Sequence, residues 1–221
     1  ANLKVCPTFL YIFMKKGLFI VFEGPEGCGK TTHAKLVYKY LVKKGYDVVL
    51  TREPGGTKVA ELIRKILLHK DVRITPLAEL LLYEASRAQH IEEVIKPNLL
   101  KGKIVISDRF ADASLVYQGF ARGLTMEFVK KINDIVVDGF YPDITFILDV
   151  DAEEGLKRVF LRAKKFDRLE KENLKFHKKI RQGYLQLAKK NKNYYLINTQ
   201  NKTLQQVHSK IVKILEEKYK L

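Results

Sequence analysis

The chain has 221 residues and a mass of 25.6 kDa, so at ~100–200 residues per domain it holds one large domain or one domain with a small insertion, enough to bury a full core. With 46% apolar residues, 30% charged residues and only 6 prolines, it is neither disordered, collagenous nor repeat-built. Lys and Arg outnumber Asp and Glu by 41 to 25, a net charge of +16, which attracts nucleic acid, anionic membrane or phosphorylated small molecules without choosing among them.

Residues 1–16 read as an N-terminal extension of unknown role ahead of one domain over 17–221. Patterned sequence begins just after Met14, as at a natural start, which sets residues 1–13 apart. The apolar stretch 9–14 is followed rather than preceded by Lys15 and Lys16, unlike a secretory signal, and no run is long enough to span a bilayer. Cys6 and Cys28 form neither a C-x-x-C pair nor a zinc spacing, so the expected compartment is reducing and cytoplasmic.

A first strand over 18–22 leads through a glycine-rich turn into a helix over 30–44 that stops at Gly45. A second strand covers 48–50, and Val59, Leu62, Ile63, Ile66 and Leu67 mark an amphipathic helix. A helical pattern over 76–96 is expected to end at Pro97 and is followed by a strand over 104–106. The next helix, 125–138, has Thr125 as its N-cap and Gly139 as its stop, and precedes a strand over 144–148. Helices over 151–163 and 171–190 flank a very polar stretch, 162–170, which reads as a mobile flap. A strand over 194–197 and a helix over 203–219, capped by Thr203, complete the pattern. Buried strands alternating with helices predict an α/β fold, a three-layer, doubly wound, parallel five-stranded sheet.

The first turn, Gly24-Pro25-Glu26-Gly27-Cys28-Gly29-Lys30-Thr31, matches G-x-x-x-x-G-K-[ST] between a strand and a helix, the setting in which this motif cradles phosphate. Lys30 would reach the β- and γ-phosphates, the Thr31 hydroxyl would ligate Mg²⁺, and Thr32 joins the ATP-binding segment. Cys28, beside Lys30 and among inward N–H groups, is either a thiol of lowered pKa or an inert small side chain. Ser107-Asp108-Arg109 ends the third strand, where open α/β sheets bind ligands. There Asp108 can hold the metal's water shell and Arg109 a second phosphate. A GTPase is excluded because neither Asn191-Lys192 nor Asn201-Lys202 continues into the Asn-Lys-x-Asp guanine motif. His33, His69, His90, His177 and His208 are scattered and read as surface or helix residues.

These motifs are joined by Thr51-Arg52-Glu53-Pro54-Gly55-Gly56-Thr57, Glu84-Ala85-Ser86-Arg87-Ala88-Gln89, Tyr117-Gln118-Gly119 and Asp167-Arg168-Leu169-Glu170. Over nearly all of 17–221 the sequence resembles the thymidylate kinases. The resemblance implies a P-loop nucleoside monophosphate kinase fold with a short lid at about 162–170, transfer of the γ-phosphate of ATP to dTMP with Mg²⁺ to give dTDP and ADP in dTTP synthesis, and a homodimer. It places Arg52 and Arg109 on the dTMP phosphate, Arg87 on thymine O4, Tyr83 in the family's stacking-phenylalanine position, and Ser114 and Gln118 along the rest of the base edge. Glu26 would accept from the sugar 3′-OH and Tyr117 would fill the space of a ribose 2′-OH. None of Pro25, Glu26, Gly27 and Cys28 is cationic, so the resemblance is to the bacterial arrangement with the catalytic arginine in the lid, Arg162 before Arg168, beside Lys30, Arg109 and Asp108.

A kinase for another nucleoside monophosphate remains the nearest alternative. The alternative from a different class is a P-loop ATPase acting on nucleic acid. It lacks a second motor-like domain and any aromatic and arginine stacking platform. Neither nucleic acid nor membrane is an expected partner.

Overall fold

Five apolar runs become the strands β1 (Phe19–Glu23), β2 (Val48–Arg52), β3 (Ile104–Asp108), β4 (Ile144–Asp149) and β5 (Tyr194–Asn198). The computed structural model describes residues 17–162 and 167–221, and of Arg162 the backbone only. The extension 1–16, with Cys6 and Met14, and flap positions 163–166 lie outside the described residues.

All strand pairs are parallel, in the order β2-β3-β1-β4-β5, the doubly wound sheet expected. The alternation of side chains sends Ile20 and Phe22 to one face, where they pack with Val37 and Leu41 of helix α1 (Lys30–Lys43) and Ile211 and Leu215 of helix α9 (Leu204–Tyr219). Phe19 and Val21 go to the other face, against Ile91, Ile95, Leu99 and Val137. β1 lies centrally, with Phe22 beside Asp108 of β3 and Glu23 beside Ile147 of β4. This register brings the P-loop and Asp108-Arg109 to one edge.

The remaining helices are α2 (Lys58–Leu68), α3 (Pro76–His90), α4 (Lys96–Leu100), α5 (Ala111–Ser114), α6 (Met126–Val137), α7 (Ala152–Arg162) and α8 (Leu174–Ala188). Their starts follow capping chemistry: Thr57 accepts from Ala60 N, Asn173 from Phe176 N, and Thr203 forms a reciprocal box with Gln206. Thr125 occupies the N-cap of α6 but its side chain makes no cap hydrogen bond.

Two expectations are corrected. Pro97 does not end the helical pattern over 76–96: the chain continues through a π-helical turn, Ile91–Ile95, into α4. The wider π turn accommodates the proline ring early in the new segment, and Asn98 Nδ2 donates to the Val94 carbonyl. A helix over 111–121, α5 followed by the π segment Leu115–Ala121, has no counterpart in the sequence reading. Its apolar period is broken by Ser114 and Gln118, polar residues that are nevertheless buried. Among the described residues, no helix is long and apolar enough to cross a membrane.

Candidate active site

Gly24, Gly27 and Gly29 have φ of 139°, 69° and 97°, so the turn from β1 into α1 needs residues without a Cβ. A Cβ on Gly27 would also lie 2.1 Å from the Gly155 carbonyl oxygen, because α7 docks directly on the loop. The first N–H groups of α1 have no partner within the helix and carry the positive end of its dipole. Lys30 Nζ donates to the carbonyls of Gly24 at 3.0 Å and Pro25 at 2.8 Å, holding a cation inside the loop. Thr31 Oγ1 donates to Asp108 Oδ2. A hydroxyl and one carboxylate are hard oxygen donors too few to hold a cation alone. They suit Mg²⁺, which keeps water and phosphate oxygens as further ligands.

A cavity of about 570 Å³ opens at this edge. It is lined by Glu26, Gly27, Gly29, Lys30, Thr31 and Thr32 from the loop and α1, by Arg52 and Tyr83, and by Asp108, Arg109, Ser114, Tyr117 and Gln118. Residues outside the expected site set line it too, among them Glu53, Arg64, Arg158, Asp167 and Leu204. Arg52 and Arg64 both donate to the Pro54 carbonyl, at 3.0 and 2.7 Å, after a cis Glu53-Pro54 peptide. Burial and the neighbouring Arg52 charge lower the Arg64 pKa. Glu61, 2.9 Å from Arg52 Nη2, offsets one of the two charges, so an anion bound between the guanidinium groups would relieve their repulsion.

Arg109 joins the loop to the opposite wall. Its φ is 75°, uncommon for a residue with a side chain. The side chain donates to the Gly24 carbonyl (3.3 Å), Tyr184 OH (3.0 Å), Glu26 Oε1 (2.9 Å) and Tyr117 OH (3.0 Å). Burial disfavours its charge, but Tyr117, Tyr184, Glu26 and Glu23 outweigh that and raise its pKa well above the ordinary value. Burial would likewise raise the pKa of Glu26, yet His177, Arg109, Lys30 and Tyr117 hold it well below the usual carboxylate range. The anion is therefore permanent at neutral pH.

Arg87 lies behind this wall rather than on it, 1% exposed. Its guanidinium donates to Glu53 at 2.8 Å, to Glu84, to Ser114 Oγ at 3.1 Å, to Asn133 Oδ1 at 3.2 Å and to the Phe110 carbonyl at 3.2 Å. Glu53 is held in turn by His90 Nδ1 at 3.0 Å, whose Nε2 pairs with Thr51 at 2.6 Å. Gln118 Nε2 donates to Glu79 at 2.7 Å.

The thymidylate kinase family model matches residues 22–211. Thymidylate kinase from Caldanaerobacter subterraneus subsp. tengcongensis is 50% identical over 202 residues, 91% of this chain and 96% of that protein. Its counterpart in a Thermoanaerobacter species is 48% identical over 203 residues, 91% and 98% of the two chains. The crystal structure of thymidylate kinase from Ehrlichia chaffeensis superposes with a TM-score of 0.74 at 37% identity, covering 90% of this chain and 98% of that one. The chain belongs to the thymidylate kinase family.

In this thymidylate kinase the structure adds detail to three sequence readings. Cys28, 1% exposed, has its pKa raised by burial in spite of Lys30, so the lowered-pKa reading fails and the thiol is held neutral. His33, His90 and His177 are helix residues, as read, and their side chains are buried. Their partners come from other elements, which scattered positions in a sequence do not announce. Arg168 forms an ion pair with Glu79, at 2.6 Å, and its Nε donates to the Leu67 carbonyl at 2.8 Å. It does not line the cavity, whereas Asp167 and Arg158 do. The Arg162 side chain lies outside the described residues.

Burial raises the Glu23 carboxyl from 4.5 to about 7, against the pull of Arg109, and raises Asp112 from 3.8 to about 6. The folded kinase therefore holds protons that the unfolded chain has lost between about pH 4 and 7, and this contribution to stability falls as pH rises through that window. Glu23→Gln is expected to flatten the loss of Tm between about pH 5 and pH 7.5 in scanning calorimetry. Parallel curves for variant and wild type would show Glu23 already ionised.

Proposed function

We propose that dTMP lies between α3 and the segment 111–121 with its phosphate toward Arg52, Arg64 and Arg109, while ATP lies over the P-loop with its base toward Arg158 and Leu204. The reaction is the ATP-dependent phosphorylation of dTMP to dTDP. The observation that carries the assignment is the convergence of Lys30, Arg52, Arg64 and Arg109 with Glu26 on one cavity. A phosphate monoester has a second pKa near ~6, so the attacking oxygen is already ionised at neutral pH and needs no strong base. The task left is to bring two anions together, which cations at fixed positions do.

Thymine stacks on Tyr83, whose phenol burial keeps neutral. Glu79 engages the Gln118 amide nitrogen, leaving the amide oxygen to accept from thymine N3–H. Cytosine, with no proton on N3, offers no such donor. Ser114, which Arg87 holds from behind the wall at 3.1 Å, takes the O4 edge, so the direct contact of Arg87 with O4 that the resemblance implied is replaced by one through Ser114. Glu26 accepts the 3′-OH, and Tyr117, tethered by Glu26 and Arg109, occupies the space of a 2′-OH. Mg²⁺, held by Thr31 and Asp108, would neutralise charge on the transferring phosphates.

Arg168 is committed to Glu79, so the lid cation is Arg162, which ends α7 four residues after the cavity-lining Arg158. Arg162→Ala is expected to lower kcat by at least about a hundredfold while the KM for dTMP moves only a few-fold, because the charge acts on the transition state. Near-normal kcat would remove Arg162 from the chemistry.

The same reading treats residues 17–221 as one domain with a lid at 162–170, acting in the cytoplasm as a homodimer. Supporting the dimer, α2 exposes Val59, Leu62 and Ile66, its neighbour α3 exposes Leu77 and Leu81, and α6, packed on α3, exposes Phe128 and Ile135. A second copy of the chain would cover these three adjacent apolar stripes.

A further inference from the structure

One carboxylate and two guanidinium groups meet where α3, the segment 115–121 and the stretch before α8 come together. Glu79 of α3 is fully buried. Its Oε1 accepts from Gln118 Nε2 at 2.7 Å and from Arg122 Nε at 3.3 Å, and its Oε2 lies 2.6 Å from Arg168 Nη1. Arg168 is oriented from a second side as well, because its Nε donates to the Leu67 carbonyl in the last turn of α2 at 2.8 Å. Its Nη2 is nevertheless buried with no hydrogen bond among the described residues. A buried ion pair adds little stability over apolar side chains of the same volume, and an unmatched N–H beside it is a further cost. An arginine at this place therefore calls for an account that stability alone does not give.

The partners of Glu79 fix its chemistry. Each presents N–H, so both carboxylate oxygens act as acceptors and neither carries a proton. An amide that meets such a carboxylate has one admissible orientation, with its NH₂ toward Glu79 and its oxygen away from it. Gln118 lines the cavity, and no described residue donates to its Oε1, which is not one of the buried atoms left unmatched. That oxygen is therefore open to a donor on a ligand. With no cation at Oε2, burial would favour a proton on the carboxyl. A protonated carboxyl can donate to the amide oxygen, which would let Gln118 turn its NH₂ to the cavity. That face suits the bare N3 of cytosine rather than the N3–H of thymine.

We propose that Arg168 is a positioning residue for recognition of the acceptor base: paired with Glu79 Oε2, it keeps both carboxylate oxygens acceptors, so that the Gln118 amide presents its oxygen to the N3–H of thymine. The inference rests on the assignment of Gln118 as the reader of N3–H. Arg122 does not replace Arg168, because it reaches Oε2 only at 3.5 Å and its guanidinium is shared with Glu172 at 2.6 Å.

The readout is the ratio of kcat/KM for dTMP to that for 5-methyl-dCMP, which keeps the methyl group and differs only at the N3–C4 edge. In Gln118→Met the ratio is expected to fall about tenfold or more, and in Arg168→Met about three- to tenfold, with Arg168→Lys, which restores the charge, recovering part of the loss. If Gln118→Met leaves the ratio unchanged, Gln118 does not read N3–H and the proposal falls with that assignment. If Gln118→Met lowers the ratio but Arg168→Met slows both substrates equally, Gln118 keeps its assignment and Arg168 serves stability alone, which overturns the proposal. Should Arg168→Met not fold, the double variant Arg168→Met with Glu79→Gln decides, since it removes both charges of the pair together. An amide at position 79 can donate as well as accept, so the ratio is again expected to fall about three- to tenfold, and a wild-type ratio overturns the proposal.

Discussion

Arg109→Ala is expected to lower kcat/KM for dTMP by about three orders of magnitude. The guanidinium spans four acceptors at 2.9–3.3 Å, two of them on the P-loop, Gly24 O and Glu26 Oε1. On the assignment proposed above, its removal takes away a cation from the phosphate site, a loss of ~10²–10³ for one preorganised donor. It also leaves the buried Glu26 carboxylate without the charge beside it, which by itself misplaces the sugar. Arg109→Lys keeps the charge but as a point rather than a fork, so it is expected to recover only part of the rate. Initial rates with dTMP, together with Tm for each variant, separate the catalytic loss from unfolding. A rate for Arg109→Ala within about tenfold of wild type would mean that Arg52 and Arg64 bind the phosphate without it.

Glu79→Ala is expected to cost about 3–5 kcal/mol of stability, the usual consequence of removing one partner from a buried ionic cluster. Glu79 is fully buried and accepts from Gln118 at 2.7 Å, from Arg168 at 2.6 Å and from Arg122 at 3.3 Å. Arg122 is also 2.6 Å from Glu172, so it keeps a partner, whereas Arg168 loses its ion pair. At ~2–4 °C per kcal/mol for a chain of this size, Tm should fall by roughly 6–20 °C. Guanidinium unfolding would show the same change as a shift of midpoint with little change in slope. Because Gln118 lines the cavity and Arg168 belongs to the lid, surviving enzyme should also bind dTMP less tightly. A Tm within about 2 °C of wild type would show that the cluster is no stronger than a solvated surface pair.

The parts legible in the sequence are those whose geometry is local. Glycines at three places in one turn, a strand of β-branched and aromatic residues before it and a helix after it specify a phosphate cradle without reference to the rest of the chain. The same holds for the strands, all five placed within two residues of their observed ends, and for the Thr203 capping box. The segment 111–121 was not legible, because Ser114 and Gln118 are buried against the cavity rather than turned outward to water, which erases the amphipathic period. Pro97 misled for the converse reason: a local rule that ends helices was overridden by a π turn and the helix α4 after it, packed on β1 and β3 through Ile91, Ile95 and Leu99.

By itself, the amino-acid sequence determined the doubly wound sheet, the nucleotide cradle and the family, since each depends on residue types at short, fixed spacings. The tertiary structure decided which charges remain available to a ligand. Arg162 and Arg168 are both flap cations in the sequence, Arg162 preferred only by the resemblance, whereas in the fold Arg168 is committed to Glu79, 89 positions away by residue number. Tyr184 reaches Glu23 across 161 residues, Arg87 disappears behind Ser114, and Cys28 is buried so that its pKa rises rather than falls. The cause is common to all: the ionisation and reach of a polar group depend on the dielectric and partners around it, and in a parallel α/β fold those partners arrive from elements far apart in the chain.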